Sequence, residues 1–199
     1  RPQLLRDFNG QSAIKENLEI FIHSARARKV RLDHMLFHGP PGLGKTTLAE
    51  IISRELGVNI RQLTAPAIDK PADIVHVLAG LDERDVLFID EIHRLPIKVA
   101  EMLYPVMESF RLDVIVGAQD QGRVESIPLP PFTMIGATTH RGKLPTPLSD
   151  RFPIQFALDL YTNEELYLVI TRAASKLGLI FTDEAVEAVT RCSRGTPRL

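Results

Sequence analysis

Apolar residues along the chain form two patterns that alternate from segment to segment, one typical of helices and one typical of buried strands. Three segments carry them every third or fourth residue, as amphipathic helices do, at residues 11–29, 45–57 and 99–110. Short continuous apolar runs, typical of buried strands, lie at residues 34–38, 86–90 and 132–137, and residues 58–63 are a further candidate strand. Because strands and helices alternate, we predict an α/β fold with a parallel sheet that helices cover on both faces.

Two segments depart from this alternation. Residues 112–116 and 123–128 are β-like runs joined by a polar, glycine-bracketed segment, which predicts a hairpin inserted into the α/β core. From Thr162, which begins a capping box, the pattern becomes wholly helical. We therefore expect a large domain over residues 1–160 and the start of a small helical domain over 161–199. Two helices offer each other little surface to bury, so we expect this second domain to be incomplete.

Composition narrows the class of protein. Of 199 residues, 44% are hydrophobic and 25% charged, and the net charge of −1 provides no overall positive field to attract nucleic acid. No apolar run approaches the ~18 residues of a spanning helix, so we expect no membrane association. The single Cys192 can form no intrachain disulfide, which fits a reducing cytoplasmic location. Its apolar-periodic position predicts that it packs as a small hydrophobe.

Residues 39–46, GPPGLGKT, match the G-x-x-x-x-G-K-[ST] pattern of a P-loop between a predicted strand and a predicted helix. Glycines such as Gly42 and Gly44 let backbone N–H groups surround phosphates at the positive end of the helix. Lys45 would contact the β- and γ-phosphates, Thr46 would hold Mg²⁺, and Thr47 adds a hydroxyl near the α-phosphate. Chance would produce this pattern in about one random sequence in a hundred. No Asn-Lys-x-Asp motif is present, which favours ATP over GTP.

Polar side chains follow two of the predicted core strands. Asp90 and Glu91 end the strand at 86–90, at the carboxyl edge where α/β proteins bind ligands. Asp90 suits magnesium held through its water shell, and Glu91 suits orienting and deprotonating an attacking water. The alternative is a solvated strand end. Of the two threonines after the next core strand, we favour Thr139 for a contact with the phosphate or the water.

Arg151 lies beside Phe152 in a proline-rich segment. A rigid, exposed arginine of this kind can stabilise phosphoryl transfer when it enters the active site of a neighbouring subunit. The alternative is a surface ion pair between Arg151 and Asp150.

Histidines offer one candidate metal pair. His34 and His38 are four residues apart, a zinc-ligand spacing only if they lie on a helix. Strand geometry separates them by ~13 Å, so we interpret both as structural. His93, two residues after Glu91, we interpret as packing behind the site.

Six motifs occur in one fixed order: GPPGLGKTT, VLFIDEIHRL, MESFRLDVIVG, IGATT, LSDRF and SRGTPR. Through them the whole chain resembles the RuvB family of AAA+ ATPases, the motors of Holliday-junction branch migration in bacteria. This resemblance implies a hexameric ring that hydrolyses ATP with Mg²⁺, acts on double-stranded DNA at Holliday junctions and binds RuvA. It also implies a winged-helix DNA-binding domain, which we expect to follow residue 199.

The resemblance also implies roles for individual residues. Glu91 matches the residue that activates water, Thr139 the first sensor, Arg151 the finger supplied in trans and Arg198 the second sensor. The hairpin of roughly 112–129 matches the surface that engages RuvA, through the apolar residues Val114, Ile115 and Val116. The residues implied to contact the nucleotide are Arg1, Gly42, Gly44, Lys45, Thr46, Thr47, Tyr161 and Arg198.

Two other functions remain open from the motifs alone. Asp90-Glu91-Ile92-His93 fits a DExH-type helicase core, but such helicases need a second RecA-like domain, and nothing after Tyr161 resembles one. A clamp-loader-like subunit would bind ATP as a conformational switch with little turnover. Glu91 argues against that function, because a switch needs no positioned base.

Overall fold

The computed structural model describes residues 2–116 and 123–198. Five strands form one sheet in the order β2-β3-β6-β1-β7, and every neighbouring pair is parallel. Among the described residues, two further strands, β4 and β5, form a separate pair. The strands are β1 (Met35–His38), β2 (Ile60–Thr64), β3 (Val86–Asp90), β4 (Arg111–Val116), β5 (Arg123–Pro128), β6 (Thr133–Thr138) and β7 (Ile154–Ala157).

Helices connect these strands and continue after the last one. They are α1 (Ser12–Arg28), α2 (Lys45–Leu56), α3 (Pro71–Ala79), α4 (Ile97–Ser109), α5 (Thr146–Ser149), α6 (Asn163–Leu177) and α7 (Asp183–Cys192). The α/β fold with a parallel sheet is confirmed. Within the described ranges, no helix is both long and apolar enough to cross a membrane.

The core lies on both faces of the sheet. Phe37 and Phe88 belong to one buried cluster, with residues of α1 and α2, whereas Leu36 and Leu87 belong to a second, with residues of α3 and α4. This division follows from the strand repeat, which sends successive side chains to opposite faces. It explains why the strands are continuously apolar. Each such side chain stabilises the fold by about 1.5–3 kcal/mol through burial.

The inserted hairpin is present as the sequence predicts. Its antiparallel register runs from Arg111 opposite Pro128 to Val116 opposite Arg123. Leu112 is buried at its base, and Val114 is half-buried against the α3 and α4 side of the core. Residues 117–122 lie outside the described part of the chain, as do the side chains at 115 and 116.

His34 ties three parts of the core together. Its Nδ1 accepts the Met134 N–H at 2.8 Å, so its Nε2–H is the donor to the Met107 carbonyl at 3.0 Å. Burial lowers the pKa of His34 to about 4, which keeps the ring neutral. The structural interpretation of this histidine is confirmed.

The C-terminal helices begin where the sequence predicts. Thr162 caps α6, accepting the Glu165 N–H at 3.2 Å, while the Glu165 carboxylate accepts the Thr162 N–H at 3.0 Å. The buried residues of α7 are Val186 and Thr190, one turn apart. Cys192 lies about 200° round the helix from Thr190 and is exposed, so its predicted burial is wrong.

Candidate active site

A cavity of about 590 Å³ lies at the carboxyl edge of the sheet, within the size range of small-molecule sites. Its walls come from the N-terminal segment before α1, the loop after β1, the ends of β3 and β6, and the C-terminal helical segment. The predicted site residues that line it are Gly42, Gly44, Lys45, Thr46, Thr47, Asp90, Glu91, Thr139, Tyr161 and Arg198. Arg1 lies outside the described residues, and Arg151 is not part of the lining.

The glycine loop packs against two other parts of the chain. Gly42 has φ 82° and Gly44 has φ 102°, values that favour glycine. A Cβ atom at Gly42 would lie 2.7 Å from Thr196 Cγ2 and 2.8 Å from Arg198 Cβ. A Cβ atom at Gly44 would lie 2.9 Å from the Phe8 ring. These glycines therefore provide both the backbone conformation and the room for close approach.

Lys45 is the first residue of α2 and is almost fully buried. Its ammonium donates to the carbonyls of Gly39 and Pro40, each at 2.8 Å, and so lies within the loop. Burial lowers the pKa of Lys45, and the carboxylates of Asp90 and Glu91 oppose that shift. The loop thus holds a cation opposite two carboxylates.

Asp90 and Glu91 lie where the backbone changes conformation at the end of β3. Asp90 Oδ1 accepts the Glu91 N–H at 3.0 Å. Glu91 itself is left-handed, with φ 51° and ψ 40°, a conformation that costs a non-glycine residue about 1–3 kcal/mol. Thr139 donates its hydroxyl to Glu91 Oε2 at 3.0 Å. The structure therefore brings these three predicted residues together at one edge.

Two histidines extend this group of polar side chains. Thr138 Oγ1 accepts the His140 N–H at 3.0 Å and lies 2.9 Å from His93 Nδ1. Because the Thr139 hydroxyl donates to Glu91, it accepts from His140 Nδ1, at 2.8 Å. Burial lowers the pKa of His93. His93 thus contacts Thr138, and its Nδ1 lies 3.4 Å from Glu91 Oε2. No sequence motif singles out His140.

Tyr161 joins the glycine loop to the C-terminal segment. It is buried, and its hydroxyl donates to the Leu43 carbonyl at 3.2 Å. Its backbone N–H donates to the Gly195 carbonyl at 2.9 Å. Burial raises the pKa of this phenol above its usual value, so it remains a neutral donor.

Another face of the cavity comes from residues that sequence analysis missed. Arg172 of α6 pairs with Asp7, with 2.9 Å between Nη2 and Oδ1, and also donates to the Asp7 carbonyl. This guanidinium lowers the pKa of Asp7. In sequence, α6 is an ordinary charged amphipathic helix, and only its packing reveals which face meets the cavity. The remaining lining residues are Pro2, Phe8, Asn9, Pro41, Leu43, Val169, Ala173, Lys176 and Pro197.

Arg151 lies against α4 of its own chain. Its Nη2 is 2.8 Å from Glu108 Oε1, and its Nη1 donates to the Pro147 carbonyl at 2.5 Å. The guanidinium carbon lies 4.4 Å from the centroid of the Tyr104 ring. Its ion-pair partner is therefore Glu108, rather than the neighbouring Asp150 that sequence analysis considered.

Comparisons with known proteins cover the whole chain. The family model for the Holliday junction DNA helicase RuvB P-loop domain matches residues 1–158, and the model for the RuvB AAA lid domain matches residues 161–199. The chain is 54% identical over 199 residues to the Holliday junction branch migration complex subunit RuvB of Gluconobacter oxydans, and 53% identical to that of Granulibacter bethesdensis. All of this chain aligns with both relatives, but it spans only 57% of the length of the Gluconobacter protein and 55% of the length of the Granulibacter protein.

Solved structures agree with the family models. The Holliday junction branch migration motor RuvB of Thermotoga maritima superposes with a TM-score of 0.88 at 44% identity. That match covers 100% of this chain and 61% of the Thermotoga chain. A mutant form of the same protein superposes with a TM-score of 0.91.

Proposed function

The chain belongs to the RuvB family, whose P-loop and lid models match residues 1–158 and 161–199. We propose that it is the ATP-hydrolysing part of a motor subunit. The motor would drive branch migration of Holliday junctions in DNA recombination and repair. One observation carries this proposal. A single cavity collects the glycine loop, its lysine, two strand-end carboxylates, Thr139 and Arg198.

ATP is the proposed occupant of this cavity. The loop amides and the N-terminus of α2 would bind the β- and γ-phosphates. Lys45 now donates to the Gly39 and Pro40 carbonyls, and it would exchange those acceptors for phosphate oxygens. Arg198, beside Gly42, would contribute a second positive charge from the helical segment.

The donor set also fits a magnesium ion. Thr46 and Asp90 both line the cavity, and hydroxyl and carboxylate oxygens are the ligands Mg²⁺ prefers. When bound with ATP, Mg²⁺ neutralises charge on the β- and γ-phosphates. We assign Thr46 and Asp90 to hold it.

Glu91 is the proposed base. A water oxygen would attack the γ-phosphorus while the bond from that phosphorus to the β–γ bridging oxygen breaks, and ADP would leave with the electron pair. Glu91 would accept the proton of the water at its carboxylate. The Thr139 hydroxyl already contacts Glu91 Oε2 at 3.0 Å, which supports a role for Thr139 in orienting the carboxylate and the water.

Assembly into a ring would complete the site. Arg151 does not line the cavity of its own chain, which supports delivery to a neighbouring subunit in a hexamer. RuvA and double-stranded DNA are the proposed partners. Val124 and Ile127 are exposed on the hairpin, 67% and 43% respectively, which supports the hairpin as the RuvA-binding surface. We place this activity in the bacterial cytoplasm.

Steady-state phosphate release from ATP tests the catalytic assignment. Glu91→Gln should lower the rate about a hundredfold or more, because the amide cannot accept the proton, while nucleotide binding persists. Glu101→Gln, an exposed carboxylate on α4, is the matched control and should keep the rate of the unmodified protein. Unchanged turnover in Glu91→Gln would contradict the base assignment and favour the switch-like function.

Mixing two inactive variants tests the shared site. In Arg151→Ala the finger is absent, and in Lys45→Ala the nucleotide is held poorly, but a mixed ring contains some interfaces with both groups intact. Some ATP hydrolysis should therefore return on mixing. Absence of recovery at every ratio would exclude delivery of Arg151 in trans.

A further inference from the structure

Three potential metal ligands converge beside the catalytic carboxylate. Glu91 and His93 follow β3, and His140 follows the neighbouring β6. One ligand atom from each lies within 4.8 Å of the other two. The two imidazole rings are tilted, with their centroids 5.2 Å apart. Parallel packing of the two strands therefore creates a cluster that neither sequence segment carries alone.

The distances suit a small tetrahedral ion. Bonds of about 2.0–2.1 Å to nitrogen and oxygen imply neighbouring ligand atoms roughly 3.3 Å apart. His93 Nδ1 and Glu91 Oε2 already lie 3.4 Å apart. His140 is exposed, so its side chain can rotate toward the other two without displacing core residues.

Ligand chemistry separates this cluster from the magnesium site. Two imidazoles with one carboxylate favour Zn²⁺, whereas the oxygen ligands Thr46 and Asp90 favour Mg²⁺. We propose that Glu91, His93 and His140 form a binding site for Zn²⁺, and that zinc bound there inhibits ATP hydrolysis by occupying the carboxylate that would activate water. The inhibition rests on the proposed function, but zinc binding does not.

Zinc would compete with three hydrogen bonds, and His140, on rotating toward the ion, would give up its 2.8 Å contact with the Thr139 hydroxyl. His93 Nδ1 would leave Thr138 Oγ1, now 2.9 Å away, and Glu91 would release the Thr139 hydroxyl. Occupancy would therefore disconnect Glu91 from Thr139 as well as block its carboxylate. This coupling makes the site inhibitory rather than structural.

Zinc affinity of the nucleotide-free protein, measured in excess Mg²⁺ by competition with a chromophoric chelator, tests the site directly. All variants are made in a Cys192→Ser background, because that exposed thiol is itself a potential zinc ligand. We expect one Zn²⁺ per chain. His140→Ala and His93→Gln should each weaken binding about tenfold or more, since removing a ligand costs at least as much as removing an outer-shell partner. His76→Ala, an exposed histidine on α3, should leave it unchanged.

His140→Ala decides the result, because an exposed side chain can be removed without unfolding the protein, which circular dichroism checks. Unchanged zinc affinity in His140→Ala and His93→Gln would overturn the proposal, as would binding that disappears with Cys192→Ser alone. Zinc should also inhibit phosphate release, with the inhibitory concentration raised in His140→Ala by the same factor as the dissociation constant. Zinc bound at the site without inhibition would overturn the inhibitory role. Binding without any ATP hydrolysis by the unmodified protein would instead refute the proposed function alone.

Discussion

Replacing Gly42 by alanine tests how closely the glycine loop and the C-terminal segment are packed. The new Cβ would lie 2.7 Å from Thr196 Cγ2 and 2.8 Å from Arg198 Cβ, about 1 Å inside the usual carbon–carbon contact distance. The left-handed backbone at Gly42 adds about 1–2 kcal/mol for any L-residue with a side chain. The C-terminal segment must therefore move away from the loop.

Gly57→Ala is the matched control. Gly57 ends α2 with φ 69°, and a Cβ there meets nothing within 4 Å. Gly57→Ala should lose about 1–2 kcal/mol of unfolding free energy in urea, and Gly42→Ala should lose more, because its Cβ also collides with the C-terminal segment. Only Gly42→Ala should also displace Arg198. The bound nucleotide would then lose its charge-assisted contact with this arginine, which is worth about 1.5–3 kcal/mol. Its affinity for a fluorescent ATP analogue should then fall roughly tenfold to a hundredfold.

A double variant separates the collision from damage to the loop itself. Thr196→Ser removes the Cγ2 atom that the new side chain would strike, so Gly42→Ala/Thr196→Ser should recover part of the lost affinity. Nucleotide affinity in Gly42→Ala equal to that in Gly57→Ala would refute the argument that Arg198 packs on the loop to bind nucleotide.

Three further predictions concern residues outside the phosphate contacts. Glu108→Gln removes the carboxylate that pairs with Arg151 at 2.8 Å. When ATP hydrolysis is measured over a range of protein concentrations, the variant should be slower than the unmodified protein only at concentrations where subunits assemble. His34, with a folded pKa of about 4 against 6.5 unfolded, keeps its full stability contribution above pH 6.5. As pH falls toward 4 the unfolded state binds the proton more readily, so the unfolding free energy should drop by about 2 kcal/mol by pH 5. If His34→Asn showed the same dependence of unfolding free energy on pH as the unmodified protein, this prediction would be contradicted. Tyr161→Phe leaves the Leu43 carbonyl without its 3.2 Å donor and should lower the unfolding free energy by about 1 kcal/mol in urea titration.

Local patterns in the sequence identified most of the sheet and its phosphate loop. β1, the glycine loop and α2 were recognisable because buried apolar spacing on both sides frames the motif. β7, at Ile154–Ala157, was not predicted, because it is a four-residue edge strand without a fully buried side chain. α3, at Pro71–Ala79, buries only Ile74 and Leu78, a weak periodic signal.

The site was predictable where one short segment carries the chemistry. Lys45, Asp90 and Glu91 stand in such segments. Arg172 and His140 do not. Arg172 reaches the cavity only through the packing of α6, and His140 reaches its edge only because β6 pairs beside β3. Arg151 shows the same limit, since the sequence offered Asp150 as its partner and the structure places Glu108 there.

The central claim is that this cavity holds ATP between the glycine loop and the two carboxylates. A crystal structure of Glu91→Gln with ATP and Mg²⁺ tests it most directly. We predict an intact triphosphate surrounded by the amides of residues 42–47, with Mg²⁺ at Thr46. ATP bound elsewhere while this cavity holds another group, or the triphosphate reversed so that the base meets the loop, would contradict the account.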